Sequence, residues 1–171
     1  MDKPELLNII IAGFILLLII LVYEAIHAPE QKIKKTTKWM LLTSKAQLIR
    51  SVISFTGPIL AEQHIDRFPS LKIYYHSHTQ WAGYFCENND MIYIYVRNNH
   101  SVDELVNTVL HELAHYIQCQ TNPHWFSNYD YYQQAYGYHQ NPLEVDSRLF
   151  AQKWMKPCLR FLQENNFIAQ A

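Results

Sequence analysis

The chain contains no CxxC pair and no cluster of closely spaced cysteines. Its three cysteines, Cys86, Cys119 and Cys158, are odd in number and far apart. That spacing argues against a structural zinc knuckle and against a disulfide framework, and free thiols in a reducing compartment are the simpler expectation. An excess of charge of one sign is also missing. The formal net charge is −1, so there is no broad basic face and no nucleic-acid partner is expected. Apolar residues make up 49% and charged residues 17%, a balance too apolar for a disordered chain. No internal repeat or low-complexity segment is present. The 171 residues fit one globular domain with length left for an anchor. Twelve tyrosines and nine histidines stand out against this background, and both types can serve a polar cleft.

The stretch LLNIIIAGFILLLIILVY, Leu6 to Tyr23, is apolar except for Asn8. A helix of that length reaches about 27 Å, close to the hydrocarbon thickness of a bilayer. It lacks the polar face that a core helix of a soluble domain would carry. A cleaved signal peptide would need a basic n-region and a small-x-small cleavage site, whereas Asp2, Lys3 and Glu5 precede the run and EAIHAPE follows it. An uncleaved transmembrane anchor over 1–23 is therefore expected, with the bilayer as a partner. Lys32, Lys34, Lys35 and Lys38 follow the run and only Lys3 precedes it, so the positive-inside rule puts the remainder on the cytoplasmic side of a single-pass membrane protein. The polar segment 24–38 reads as a juxtamembrane linker, leaving 39–171 as the folded domain.

Within that domain, Trp39 to Phe55 has helical apolar spacing and ends at Gly57-Pro58, and Pro58 to Phe68 reads as a second short helix. The period then changes. Leu71–His76, Trp81–Glu87 and Met91–Arg97 are rich in aromatic and β-branched residues and read as three strands, the last two joined by an ENND turn. Ser101 and Glu104 form a capping-box pattern before a helix with Val102, Val106, Val109, Leu113 and Ile117 on one stripe. A polar, aromatic region without clear periodicity runs from Cys119 to Gln140, a length that is functional or contains short irregular helices. Pro142 opens a last helix that is expected to reach about Lys156, with Pro157 breaking or kinking it. The order predicts an α+β fold with a small antiparallel sheet packed with helices.

The capped helix carries TVLHELAHYIQ, Thr108 to Gln118. Residues four apart on a helix share a face, so His111 and His115 can direct imidazole nitrogens at one metal ion. Glu112 lies about 100° around the helix from His111. It can border the metal without binding it, and there it can take a proton from a water that zinc has made acidic and pass it to a leaving amine. The HExxH pattern arises by chance roughly 0.02 times in a chain of this composition. A peptidase zinc needs a third protein ligand. Thr121 stands where the HExxHxxGxxH pattern would place a third histidine, which excludes that class. His124, His139, Glu144 and Asp146 remain, and the stripe of the last helix, centred on Leu143, Phe150 and Trp154, leaves Glu144 and Asp146 on opposite flanks.

HELAH followed about thirty residues later by NPLEVDSRLFA resembles the gluzincin group of zinc metallopeptidases, and most of all the minigluzincins and the peptidases that cleave phage repressors. The resemblance covers roughly 84–151. It implies a zincin-like fold built on an HExxH helix and a glutamate helix, with Zn2+ as cofactor. It makes His111, His115 and Glu144 the metal ligands, Glu112 the catalytic base, and a protein or peptide the substrate. Two positions depart from the group's pattern: Ser147 replaces a preferred alanine, and Arg148 stands where thermolysin-like members place an acid supporting a histidine. The resemblance also implies that the strand before the motif helix, Met91 to Arg97, borders the cleft and pairs with substrate along its edge. Tyr136, Tyr138 and His139 are candidate stabilisers of a developing oxyanion. The function expected is a membrane-anchored zinc metalloendopeptidase. The alternative is a catalytically silent zinc-binding scaffold, for which Glu112 would have no use.

Overall fold

A computed structural model describes residues 39–41, 43–76 and 79–170, which fall in one compact unit, Lys38–Ala171. The anchor at 1–23 and the linker at 24–38 lie outside the described residues, and among the described residues no helix is long and apolar enough to cross a membrane. The fold is α+β, as the pattern of periods predicts.

Strand β1 (Trp39–Leu41) opens the unit and pairs antiparallel with the last strand, β5 (Ile168–Gln170). Trp39 to Leu41 is therefore not the first turn of a helix. The helix begins only at Lys45, where Ser44 caps it by accepting from Gln47 N–H at 3.2 Å. Helix α1 (Lys45–Phe55) buries Leu48, Ile49 and Val52, and α2 (Gly57–Glu62) follows with Pro58 in its first turn. The second helix is shorter than its sequence suggests, and the chain leaves it through His64, whose φ of 57° is left-handed.

Three strands then form the main sheet: β2 (Ser70–Tyr74), β3 (Gly83–Cys86) and β4 (Met91–Tyr95). Their order is β2-β4-β3, with β4 parallel to β2 and antiparallel to β3. The sheet is thus mixed rather than antiparallel, because β4 returns between the two earlier strands. Position in the sheet also corrects the expected cleft edge. Met91–Tyr95 is the central strand, paired on both sides; β2 and β3 are the edges, and β3 is the one that lies against Glu112. Alternation along β4 sends Ile92 and Ile94 into the core, while Tyr93 and Tyr95 stack outward with Tyr84 and Tyr74 at ring separations of 4.4 and 5.3 Å.

Helix α3 (Val102–Thr121) is the centre of the unit and packs against α1, the sheet and the last helix. The serine half of its capping box is present, with Ser101 Oγ accepting from Glu104 N–H at 3.1 Å. Glu104 reaches one residue further back than the motif prescribes and accepts from His100 N–H at 2.7 Å. The region from 119 to 140 folds into two short helices, α4 (Pro123–Phe126) and α5 (Tyr129–Tyr136), and a 3-10 turn, Tyr138–Gln140. Helix α6 (Pro142–Glu164) starts on Asn141, whose side chain accepts from Leu143 N–H at 3.0 Å. Pro157 lies inside α6 without ending it. Pro157 and Lys153 are both exposed, so the carbonyl that loses its helical partner faces water.

Candidate metal centre

The site is carried by the two longest helices, α3 and α6. On α3 the core stripe runs through Leu105, Val109, Leu113 and Tyr116, and the 3.6-residue repeat places His111, Glu112 and His115 along the side facing α6 and the sheet edge. On α6 the buried stripe runs through Leu143, Glu144, Ser147, Ala151, Cys158 and Leu162. Phe150 and Trp154 are only partly buried at its flank. The inner face therefore includes Glu144, whereas Asp146 is exposed.

His111 Nε2 lies 3.1 Å from Glu144 Oε2, and His115 Nε2 lies 3.2 Å from Glu144 Oε1. One ligand atom from each residue falls within 4.8 Å of the others, the separation that two imidazoles and a carboxylate adopt around a single ion. Among the described residues this is the one His/Cys/Asp/Glu group placed to hold a metal. The expected trio of ligands is thus brought together. His124 and His139 are exposed and stand apart from it.

The chemistry of the donors fits a cation. The Glu144 side chain is only 3% exposed, and its buried Oε2 faces the His111 imidazole, with the Arg148 guanidinium 4.0 Å away. Such an oxygen costs free energy unless something positive satisfies it. Its other oxygen, Oε1, accepts from Tyr129 Oη at 2.6 Å. Burial pushes the Glu144 carboxyl up, but the His111 and His115 imidazoles and the Tyr129 hydroxyl outweigh it and hold the group well below the carboxylate range. Glu144 is therefore an anion in place. The same carboxylate, together with burial, raises the hydroxyls of Tyr129 and Tyr138, which stay protonated donors at neutral pH.

Glu112 is buried on the sheet side of the histidines. Burial raises its carboxyl above the ordinary range, while His111, His115 and the Phe85 main-chain amide of β3 act in the opposite direction. Its position depends on a close approach. A Cβ built on Gly83 would lie 2.8 Å from Thr108 Cγ2, 3.0 Å from Glu112 Cγ and 3.1 Å from Tyr93 O. Only glycine lets the edge strand come this near to α3. Asn99 secures the same junction: its Nδ2 donates to Ala82 O at 3.2 Å and Tyr95 O at 3.0 Å, and its Oδ1 accepts from Thr108 Oγ1 at 2.7 Å.

Two supporting residues escape a reading of the sequence. Tyr129 comes from the region without periodicity, and Gln118 is one polar residue among several at the end of the motif helix. Asp146 contributes by bonding Gln118 Nε2 at 2.8 Å. The three candidates for stabilising an oxyanion are all exposed, and of them Tyr138 has its hydroxyl against Glu144. Compared with protein-family models, with curated proteins and with solved structures, the chain finds no match.

Proposed function

We propose that this chain is a zinc-dependent metalloendopeptidase of gluzincin-like design, anchored in the membrane by Leu6 to Tyr23 with its folded unit on the cytoplasmic side. The observation that carries the reading is the convergence of His111, His115 and Glu144 on one point, with the buried carboxylate of Glu112 beside it. Two histidines and a carboxylate are the ligand set of hydrolytic zinc sites that keep a coordination position for water or substrate. Zinc bound there supplies a Lewis acid that polarises a peptide carbonyl and lowers the pKa of water.

The remaining chemistry falls to side chains. Glu112 is the general base. As such it takes a proton from water and releases it to the departing amine nitrogen. Tyr138 is placed to donate a hydrogen bond to oxygen as charge develops on it. The substrate is an extended peptide that adds to β3, whose outer edge is unpaired among the described residues and whose Phe85 amide reaches Glu112. Main-chain pairing along that edge would carry the scissile bond past the base. A scaffold without activity would gain nothing from a buried carboxylate at 112.

Glu112→Gln separates the two readings. The variant should retain zinc and lose peptide hydrolysis by at least about 100-fold, the scale of a general base. Equal cleavage of an unstructured protein such as casein by wild type and variant would reject the peptidase reading.

A further inference from the structure

Gln118 is fully enclosed between α3 and α6, and its side chain is used at both ends. Its Nε2 faces three acceptors on α6: Leu143 O at 3.0 Å, Asp146 Oδ2 at 2.8 Å and Ser147 Oγ at 3.1 Å. A main-chain carbonyl and an ionised carboxylate can only accept. These two partners therefore fix which end of the amide is nitrogen. A flipped amide would set its oxygen against both of them. Oε1 is consequently left pointing at His115 Nδ1, 2.9 Å away.

The orientation has a chemical consequence for His115. An amide oxygen accepts and cannot donate, so Nδ1 must carry the proton in this contact. Ser147 Oγ, 3.1 Å from the same nitrogen, can share that proton. In the neutral ring the lone pair is then confined to Nε2, the nitrogen that lies 3.2 Å from Glu144 Oε1. Without Gln118 the ring could carry its proton on Nε2 instead, where it would bond Glu144 and turn the lone pair away from the metal position.

We infer that Gln118 is a positioning residue that makes the ligating form of His115 depend on the docking of α6, the helix that supplies Glu144. The inference rests on the metal reading of the site and deepens it. One helix brings the third ligand and, through Asp146 and Leu143, also sets the tautomer of the second. Ser147 joins the same network through its hydroxyl. The role of Asp146 is to orient Gln118.

The test uses the full 171-residue chain, stripped of metal and titrated with zinc against a chromogenic chelator. Long-range 15N–1H NMR on the zinc-loaded wild type should show the His115 proton on Nδ1, a measurement that requires no variant. Gln118→Leu should weaken zinc binding by about 10–100-fold, the range for removing the partner of a metal-bound histidine. Gln118→Glu should also weaken it, because the new carboxylate meets Asp146. When Gln118→Glu is combined with Asp146→Asn, the amide introduced on α6 can donate to the carboxylate introduced on α3. Affinity in that double variant should recover part of the loss, since Leu143 O still faces the new carboxylate without a donor. A purely structural role would make affinity follow melting temperature and would not be repaired by exchanging donor and acceptor. An Nδ1 without a proton in the zinc-loaded wild type, wild-type affinity in Gln118→Leu, or a double variant no tighter than Gln118→Glu alone would each overturn the inference. Failure of the wild type itself to bind zinc would instead bring down the metal reading on which it stands.

Discussion

Gly83→Ala adds one methyl group at the point where the edge strand meets the motif helix. Carbon atoms in good contact lie about 3.5–4.0 Å apart. The new Cβ would sit 2.8 Å from Thr108 Cγ2 and 3.0 Å from Glu112 Cγ, so something must yield by roughly half an ångström to one ångström. The third neighbour, Tyr93 O at 3.1 Å, belongs to the backbone of the central strand and has least room to move. Overpacking of this kind costs about 1–3 kcal/mol. For a domain of this size that lowers Tm by roughly 5–10 °C. The larger effect should be on catalysis. Displacement of Glu112 by a fraction of an ångström to one ångström should reduce kcat/KM by about 10–100-fold, the scale for a misplaced catalytic group. Zinc affinity should stay within a few-fold, because the three atoms nearest the new Cβ belong to Thr108, Glu112 and Tyr93 and not to the ligands. The assay is peptide hydrolysis per mole of bound zinc at a temperature well below the variant's Tm. Adding Thr108→Ser removes the closest clash, keeps the hydroxyl that bonds Asn99, and should recover most of the stability but only part of the activity. Full activity in Gly83→Ala despite a lowered Tm would refute the idea that this contact sets the position of Glu112.

Four further outcomes follow from the same geometry. Glu144→Gln should weaken zinc binding by more than about 100-fold, since it removes an anionic ligand whose supporting partners alone contribute that scale. In the metal-free chain Glu144 has a depressed folded pKa, so its contribution to stability is present above the unfolded value of about 4.3 and is lost as pH falls through the folded value. Denaturant unfolding between pH 6 and about pH 3 should therefore steepen in wild type relative to Glu144→Gln, and parallel pH curves would contradict this. Tyr129→Phe removes the donor to Glu144 Oε1 and should reduce zinc affinity by roughly 10-fold with little change in fold, measured by chelator competition. Burial pushes the Cys158 thiol up to about 12, whereas Cys86 and Cys119 are part-exposed. A disulfide reagent at pH 8 should titrate at most those two thiols in the native chain and release the third only on unfolding.

Local pattern was enough for the parts of the molecule whose partners are close in sequence. Helix α3, its serine cap, the β3–β4 pairing and the start of α6 at Pro142 are all written in nearby residues. Features set by distant partners were not legible. Trp39 to Leu41 is a strand because Ile168 to Gln170 lies beside it, and no local rule reports that neighbour. The insertion of β4 between β2 and β3 is likewise a matter of topology, and it moved the free edge from the predicted strand to the one before it. Glu144 could be chosen over Asp146 only through a family resemblance. The inner face of α6 is lined at Ser147 and Ala151 by small residues, so the larger Phe150 and Trp154 pulled the apparent stripe to one side. Gln118 and Tyr129 carry no sequence signal of their own. Their meaning comes from what they touch.

The most direct test is the initial rate of peptide hydrolysis by the metal-stripped full-length chain as zinc is added back in increments. If His111, His115 and Glu144 hold a single catalytic ion, the rate should rise from near zero and level off at about one zinc per chain. No hydrolysis at any zinc level, or a rate already present in the stripped chain and unchanged by zinc, would contradict it.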